Sequence, residues 1–385
     1  MPNNDITISS KLPGVEQSIF SIMTALAVKH DAINLAQGFP DFNCPPKLMG
    51  YVSKYMDEGK NQYAPMPGVL ALREKIAAKT EKLYGAKYDP NTEITITAGA
   101  TQAIYVAISA MIKYHDEVII FEPAYDSYLP AILINKGSPK YVQLNAPDYK
   151  VNWEQVKKLV NAKTRMIIIN TPHNPTGITF SQDDMAQLQK IVSGKDIVII
   201  SDEVYEHIVF DGGRHESVCR YPELAKRSFV ISSFGKTYHT TGWKTGYVLA
   251  PKELTEEFRK VYSYAMFSAF TPVQWAYSDM LEDEEHYLSL SSFYQKKRDL
   301  FLDSISGSKL KPITCQGTYF VCVDYSAYSA EPDRVVAEKI TKEHGVASIP
   351  TSVFYHTKND QKILRFCFAK NEDTLIEAGK RLCRI

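Results

Sequence analysis

The sequence predicts an α/β fold: a large domain on a mostly parallel, seven-stranded type of sheet flanked by helices, plus a smaller α+β domain. Three observations carry that expectation. Short apolar runs, rich in Ile and Val, recur between residues 94 and 250 at the length of single strands. Helical stretches separate several of them, and after Pro251 the pattern changes to long helices followed by three more strand-like runs. Near-continuous apolar strands need cover on both faces, which helices on either side of a parallel sheet supply. A chain of 385 residues also exceeds one simple core, so about two domains are expected: residues 40–284, and residues 1–39 plus 285–385.

In chain order, Ile19 to Lys29 reads as a short helix. Asn34 to Phe42 is a turn-rich loop in which Gly38 lets backbone approach a ligand. A second such loop, Asn61 to Gly68, precedes an amphipathic helix with Leu70, Leu72, Ile76 and Ala77 on one side. The seven expected strands are Ile94–Thr97, Val118–Phe121, Tyr141–Leu144, Met166–Ile169, Ile197–Ile200, Phe229–Ile231 and Tyr247–Ala250, with an apolar helix after the first that runs through Met111. Helices are expected at 254–264, 272–281, 285–304, 332–343 and 372–383. The last strands are Tyr319–Val323, Val346–Ile349 and Ile363–Phe368.

Composition narrows the function classes. Forty-four basic residues balance 44 acidic ones, so nothing points to nucleic acid or an anionic membrane surface. No apolar run reaches the roughly 18 residues of a membrane span. Met1 to Asp5 lacks the basic and apolar regions of a signal peptide, and a cytoplasmic location is expected. The six cysteines are scattered without a C-x-x-C pair and read as buried thiols, with no metal site expected.

The chemistry centres on Lys236, presented by a Ser/Gly turn after the apolar run Phe229–Ile231. Desolvation disfavours an ammonium ion, and a neutral amine attacks carbonyls, so Lys236 is a Schiff-base candidate. Taken alone, a surface lysine after a strand is the commoner case. Two further loops follow apolar strands, Asn170 to Gly177 with Asn174, and Ser201 to Tyr205 with Asp202 and Tyr205. In an open α/β sheet such loops gather at the carboxyl ends of the strands, where ligands bind. Asn, Asp, Tyr and Lys on one edge suit pyridoxal 5′-phosphate: its aldehyde takes a lysine, its ring nitrogen a carboxylate and its phosphate a nest of donors. Gly99-Ala100-Thr101, opening a helix, is the candidate nest; Ser233 and Lys244 add a hydroxyl and a charge, and Tyr125 is placed to stack on the ring. Each residue alone has a plainer reading: Asp202 as a helix cap, Asn174 as a turn former, Tyr205 as core. The conjunction favours the cofactor.

Asn174-Pro175-Thr176-Gly177, Ser201-Asp202-Glu203-Val204-Tyr205 and Ser233-Phe234-Gly235-Lys236 resemble the signature blocks of fold-type I pyridoxal-phosphate aminotransferases, classes I and II. The resemblance runs in order from about Asn34 to Lys370. It implies that Lys236 forms the Schiff base and moves the proton, that Asp202 pairs with the ring nitrogen, and that Tyr205 and Asn174 bind the phenolic oxygen. It further implies Ala100, Thr101, Ser233 and Lys244 as phosphate ligands, although many relatives carry arginine where Lys244 stands, and lysine lacks its bidentate geometry. Arg365 matches the arginine that clamps the substrate carboxylate, and Gly38 a glycine beside it. Tyr63 matches a tyrosine that reaches the neighbouring subunit's phosphate, which implies a homodimer with shared sites. Within the class, Gln37 to Phe42, Asn61 to Met66 and Glu203 to His207 are most similar to bacterial methionine aminotransferases, and resemble kynurenine and glutamine transaminases too. The substrates implied are a methionine-like or aromatic amino acid and a 2-oxo acid. The apolar, aromatic segment 264–270 is the expected side-chain pocket.

Ser233 to Lys236 also spells S-x-x-K, and Lys244-Thr245-Gly246 spells K-T-G, motifs of serine acylases. Their separation here is too short, and no Ser-Asp-Asn occurs. Gly235-Lys236-Thr237 mimics the end of a P-loop, but Val230 stands where its first glycine belongs. An effector-sensing module of a transcription regulator would need an attached DNA-binding domain, and no basic helix precedes the matched region. A β-lyase acting on cysteine conjugates or cystathionine uses the same lysine and is the alternative within pyridoxal chemistry.

Overall fold

The computed structural model describes residues 8–385, so the expectation about Met1 to Asp5 lies outside the described residues. A seven-stranded sheet is ordered Ile94–Thr97, Gly246–Leu249, Ser228–Ser233, Val198–Asp202, Thr164–Asn170, Glu117–Glu122, Ser138–Gln143. The last five are mutually parallel, while Gly246–Leu249 runs antiparallel to both of its neighbours. Three of the expected strands shift: the edge strand begins at Ser138 rather than Tyr141, the Ile197 run starts one residue later, and Tyr247–Ala250 lies one residue earlier as Gly246–Leu249.

The strands alternate strictly between two apolar layers. Ile120, Ile168, Ile200 and Ile231 face Ala103, Ala107, Phe258 and Tyr262 of the helices Ala100–Met111 and Lys252–Ala265. Ile119, Ile167, Ile199 and Val230 belong to the other layer, with Ile76, Met185 and Leu188. Burying one such side chain contributes roughly 1.5–3 kcal/mol, so a charge placed at any of these positions would disrupt the sheet. Both faces are covered, which is why the strands read as continuous apolar runs rather than as alternating ones.

A second, antiparallel sheet is ordered Ile349–Pro350, Ile363–Cys367, Phe320–Asp324, Lys311–Pro312. The expected Val346–Ile349 strand is two short pieces in different sheets, because Val346–Ala347 pairs in parallel with Ile33–Asn34. The expected helix 285–304 is broken at Ser289 into Glu284–Leu288 and Leu290–Ser304. The helix Ile19–Lys29 has the expected bounds, and the 332–343 helix is Asp333–Lys339 continued by a π-helical turn to His344. The core layer containing Ile167 and Ile199 continues into Tyr319, Val321, Leu364 and Phe366, so one apolar cluster joins the two sheets. No helix among the described residues is long and apolar enough to cross a membrane.

Candidate active site

A cavity of about 240 Å³ lies at the carboxyl ends of the parallel strands. Register sets its floor: Asn170 pairs with Asp202, Asp202 with Ile231, and Ser233 with Gly246, which also pairs with Thr97. A Cβ on Gly246 would stand 2.6 Å from the Ser232 carbonyl oxygen and 3.1 Å from the Ala100 nitrogen, so only glycine lets the three strands close here. That closure sets Lys244, in the left-handed region at φ 51°, beside Gly99 and Ser233.

Lys236 lies in the single helical turn Phe234–Thr237 that follows Ser233. Its Nζ donates to Tyr319 Oη at 2.7 Å and sits 5.5 Å from the Tyr205 ring centre. Burial lowers its pKa from 10.5 to about 8, with Lys244 and Arg365 pushing the same way and Asp202 opposing. Asp202 is 3% exposed and accepts a hydrogen bond from Tyr128 Oη at 2.5 Å. Burial raises its carboxyl to about 6, despite that bond. A carboxylate held this far from solvent has a strong preference for a cationic partner. Tyr205 is buried edge-on to Tyr319, ring centres 5.1 Å apart, and burial holds its hydroxyl well above the usual range.

At the opposite wall, Arg365 is 1% exposed and stacks on Phe320, its Cζ 3.9 Å from the ring centre. Its Nη1 donates to Asn174 Oδ1 at 2.8 Å and its Nη2 to the Ala36 carbonyl at 3.0 Å, while Nε is buried without a partner. Gly38 lies beside it, and a Cβ there would come within 2.5 Å of the Phe320 ring. At another wall, Gly99 at φ 83° opens the helix Ala100–Met111, which has no side-chain cap. Its first N–H groups and the helix dipole therefore stand available to an anion. Thr101 Oγ1 lies 3.1 Å from Tyr125 Oη.

Cavity walls thus gather Lys236, Asp202, Tyr205, Asn174, Gly99, Ala100, Thr101, Tyr125, Ser233, Lys244, Gly38 and Arg365. Tyr63 is not among them: it is 83% exposed, its ring edge-on to Phe267. The segment 264–270 does not line the cavity of its own chain either; Tyr264, Met266, Phe267 and Phe270 are exposed, with Phe267 against Tyr63. Tyr128, Asn170, Phe20, Tyr319 and Phe320 escaped sequence reasoning. Phe20 comes from the first turn of the N-terminal helix, and Tyr319 follows Thr318 at φ 68°, a turn that no residue type announces.

The aminotransferase class I and II family matches residues 30–382. The chain belongs to the class I and II aminotransferases. It is 49% identical over 383 residues to a methionine aminotransferase of Escherichia coli, covering 99% of each chain. A kynurenine–oxoglutarate transaminase of Dictyostelium discoideum is 32% identical, with 96% of this chain and 94% of that one covered. Among solved structures, Escherichia coli YbdL, whose structure and reactivity identified a methionine aminotransferase function, superposes with TM-score 0.97 at 48% identity, covering 99% of this chain and all of that one. The N-succinyldiaminopimelate aminotransferase of Mycobacterium tuberculosis superposes with TM-score 0.94 at 34% identity, covering 98% of this chain and 100% of that one. The chain is therefore a pyridoxal-phosphate-dependent transaminase of fold-type I, acting on amino and oxo acids. The residues fit the cofactor: an uncapped helix opening for phosphate, a buried carboxylate without a cation, and an amine of lowered basicity face one cavity.

Proposed function

We propose that this aminotransferase takes methionine as amino donor, with aromatic amino acids as further substrates, and passes the amino group to a 2-oxo acid in two half-reactions. The observation that carries the reading is the placement of Lys236, Asp202 and Arg365 on three walls of one cavity. Methionine is favoured by the similarity to the Escherichia coli methionine aminotransferase and by the apolar lining of Phe20, Ile104, Val204 and Phe320. Lys236, Lys244 and Arg365 are the cations that line the cavity among the described residues, and all three have other tasks, so a side-chain carboxylate finds no counter-charge.

Bound pyridoxal phosphate supplies an aldehyde for an amine and a protonated ring that draws off the electron pair left at the substrate Cα. Lys236 would hold the cofactor, and once displaced by substrate its Nζ would take the Cα proton and return it to the cofactor's aldehyde carbon. Asp202 keeps the ring nitrogen protonated by charge, and Tyr128 holds Asp202 in place. Arg365 receives the substrate carboxylate, assisted by Asn174 and the Gly38 loop, and this fixes the Cα–H toward Lys236. Gly99, Ala100, Thr101, Ser233 and Lys244 take the phosphate, Tyr125 packs against the ring, and Tyr205 with Asn174 binds the phenolic oxygen. Tyr63 acts across a homodimer interface in the partner's site, which its exposure beside the 264–270 segment supports. Residues 40–284 form the large domain and 1–39 with 285–385 the small one, in a protein of the cytoplasm.

The test is spectroscopic. Protein loaded with cofactor is mixed with L-methionine, and then with 2-oxoglutarate or glyoxylate. Loss of the visible cofactor band and its recovery with the oxo acid support the reading. Conversion by aspartate but not methionine overturns the substrate, and a visible band that survives Lys236→Ala overturns the lysine.

A further inference from the structure

Tyr319 joins Lys236 to the Gly38 loop. Its hydroxyl lies 2.7 Å from Lys236 Nζ and 2.6 Å from the Gly38 carbonyl oxygen. A phenol has one proton to give, and a carbonyl oxygen accepts only, so that proton is committed to Gly38. The oxygen therefore meets Lys236 as an acceptor. An amine that donates an N–H to Tyr319 keeps its own lone pair directed away from the phenol, towards the cavity. Were the Gly38 carbonyl elsewhere, the phenol would be free to donate to that lone pair and tie up the nucleophile.

The Gly38 loop is held in register by side chains from the second sheet and its flank. Arg365 Nη2 donates to Ala36 O at 3.0 Å and Lys370 Nζ to Phe39 O at 2.8 Å. The loop that carries the Gly38 carbonyl is thus bonded to the guanidinium on the far wall of the cavity. We propose that Tyr319 is a positioning residue: it presents the free Lys236 amine with its lone pair to the substrate, and the Gly38 loop beside Arg365 sets the direction of its hydrogen bond. The inference rests on the reading of Lys236 as the cofactor lysine. Besides Tyr319 and the Tyr205 ring, the ionisable groups facing the amine are Asp202, Lys244, Arg365 and Cys367, and Tyr319→Phe removes one oxygen while leaving each of these residues in the chain.

Full-length protein stripped of cofactor, wild type and Tyr319→Phe, is acylated with acetic anhydride over a pH series, and the Lys236 peptide is quantified by mass spectrometry. An acceptor stabilises the ammonium ion, so its loss should lower the labelling midpoint, a rise of about three- to tenfold in the amine's acid dissociation constant. The limiting rate at high pH should fall as well, since the lone pair is no longer directed. An unchanged curve overturns the proposal, and an upward shift does so too, because it would mean that the phenol donates to the amine. Pyridoxal phosphate should protect Lys236 from acylation in the wild type; if it does not, the lysine assignment itself fails and the proposal goes with it. Thermal unfolding of both proteins at one pH separates these results from a folding defect.

Discussion

Arg365 and Asn174 meet side chain to side chain, with guanidinium Nη1 2.8 Å from the amide oxygen. The contact links the strand Ile363–Cys367 to the loop that carries Asn174, and it leaves Nε of Arg365 buried and unpartnered. A fully buried guanidinium with a free donor is prepared for a carboxylate, because its desolvation is already complete in the folded chain. Arg365→Lys keeps the charge but loses both the planar fork and the stacking on Phe320. We expect KM for the amino acid to rise about 10–100-fold, the scale of one or two charge-assisted hydrogen bonds. Affinity for pyridoxal phosphate should hold, and steady-state kinetics beside cofactor titration check both.

Asp202 places function against stability. Its carboxyl is raised from 3.8 to about 6 by burial. A carboxyl whose folded pKa lies above its unfolded one weakens the fold when ionised: the penalty is absent below about 3.8 and complete above about 6. Asp202→Asn should therefore stabilise the cofactor-free protein by ~1–3 kcal/mol at pH 8, and by progressively less as the pH falls towards 4. In the loaded enzyme the same change removes the partner proposed for the ring nitrogen. Its kcat should fall by at least ~100-fold, the usual loss when one preorganised charge is taken from an active site. Denaturant melts at two pH values and a turnover assay test the pair of effects.

The lysine gives a pH dependence with a definite sign. Burial brings Lys236 from 10.5 to about 8, so half of the chains present a neutral amine near pH 8. Capture of pyridoxal phosphate by the stripped protein should accelerate through that pH and level off above it. A solvated lysine would show a midpoint more than two units higher. Stopped-flow absorbance over a pH series measures this directly, and Lys236→Arg should abolish the capture.

Much of this arrangement was legible in the sequence because its carriers are local. Each inner parallel strand carries an apolar run, and Asn174, Asp202 and Lys236 follow such runs within a few residues, so strand ends and loop chemistry could be read together. The antiparallel entry of Gly246–Leu249 was not legible, since a strand buried on both faces looks the same in either direction. Nor were Tyr319, Tyr128 and Phe20, whose roles come from tertiary contacts: Tyr128 to Asp202 spans 74 positions and Tyr319 to Gly38 spans 281. Nor does composition place the 264–270 segment, which lies outside the cavity of its own chain. Its aromatic residues do mark a surface that wants cover, but composition does not say whether that cover is a substrate or another chain.

Gly38 tests how tightly the carboxylate end is built. A Cβ at this position would lie 2.5 Å from Cζ and 2.9 Å from Cε1 of Phe320, the ring on which Arg365 stacks. The ring is buried and has nowhere to retreat, so Gly38→Ala must push the loop outward. We expect a loss of ~1–3 kcal/mol in unfolding free energy from overpacking. KM for the amino acid should also rise more than kcat falls, because the Ala36 carbonyl shifts away from Arg365. Chemical denaturation and steady-state kinetics on the variant report the two effects separately.

Shared sites in a homodimer make a prediction that no property of the isolated chain can mimic. Tyr63 is exposed and lies outside its own cavity, so if it serves a site it serves the partner's. Lys236→Ala and Tyr63→Ala chains, each nearly inactive alone, are unfolded together, mixed in equal amounts and refolded. In a mixed dimer one site then has Lys236 from the Tyr63→Ala chain and Tyr63 from the Lys236→Ala chain, and is complete. Random pairing makes half of the dimers mixed, each with one intact site of two, so activity should recover to about a quarter of wild type. Recovery to that level, with a dimer mass by sedimentation, supports shared sites. No recovery from properly refolded dimers would place Tyr63 outside the active site altogether and leave its contact with Phe267 as a surface feature.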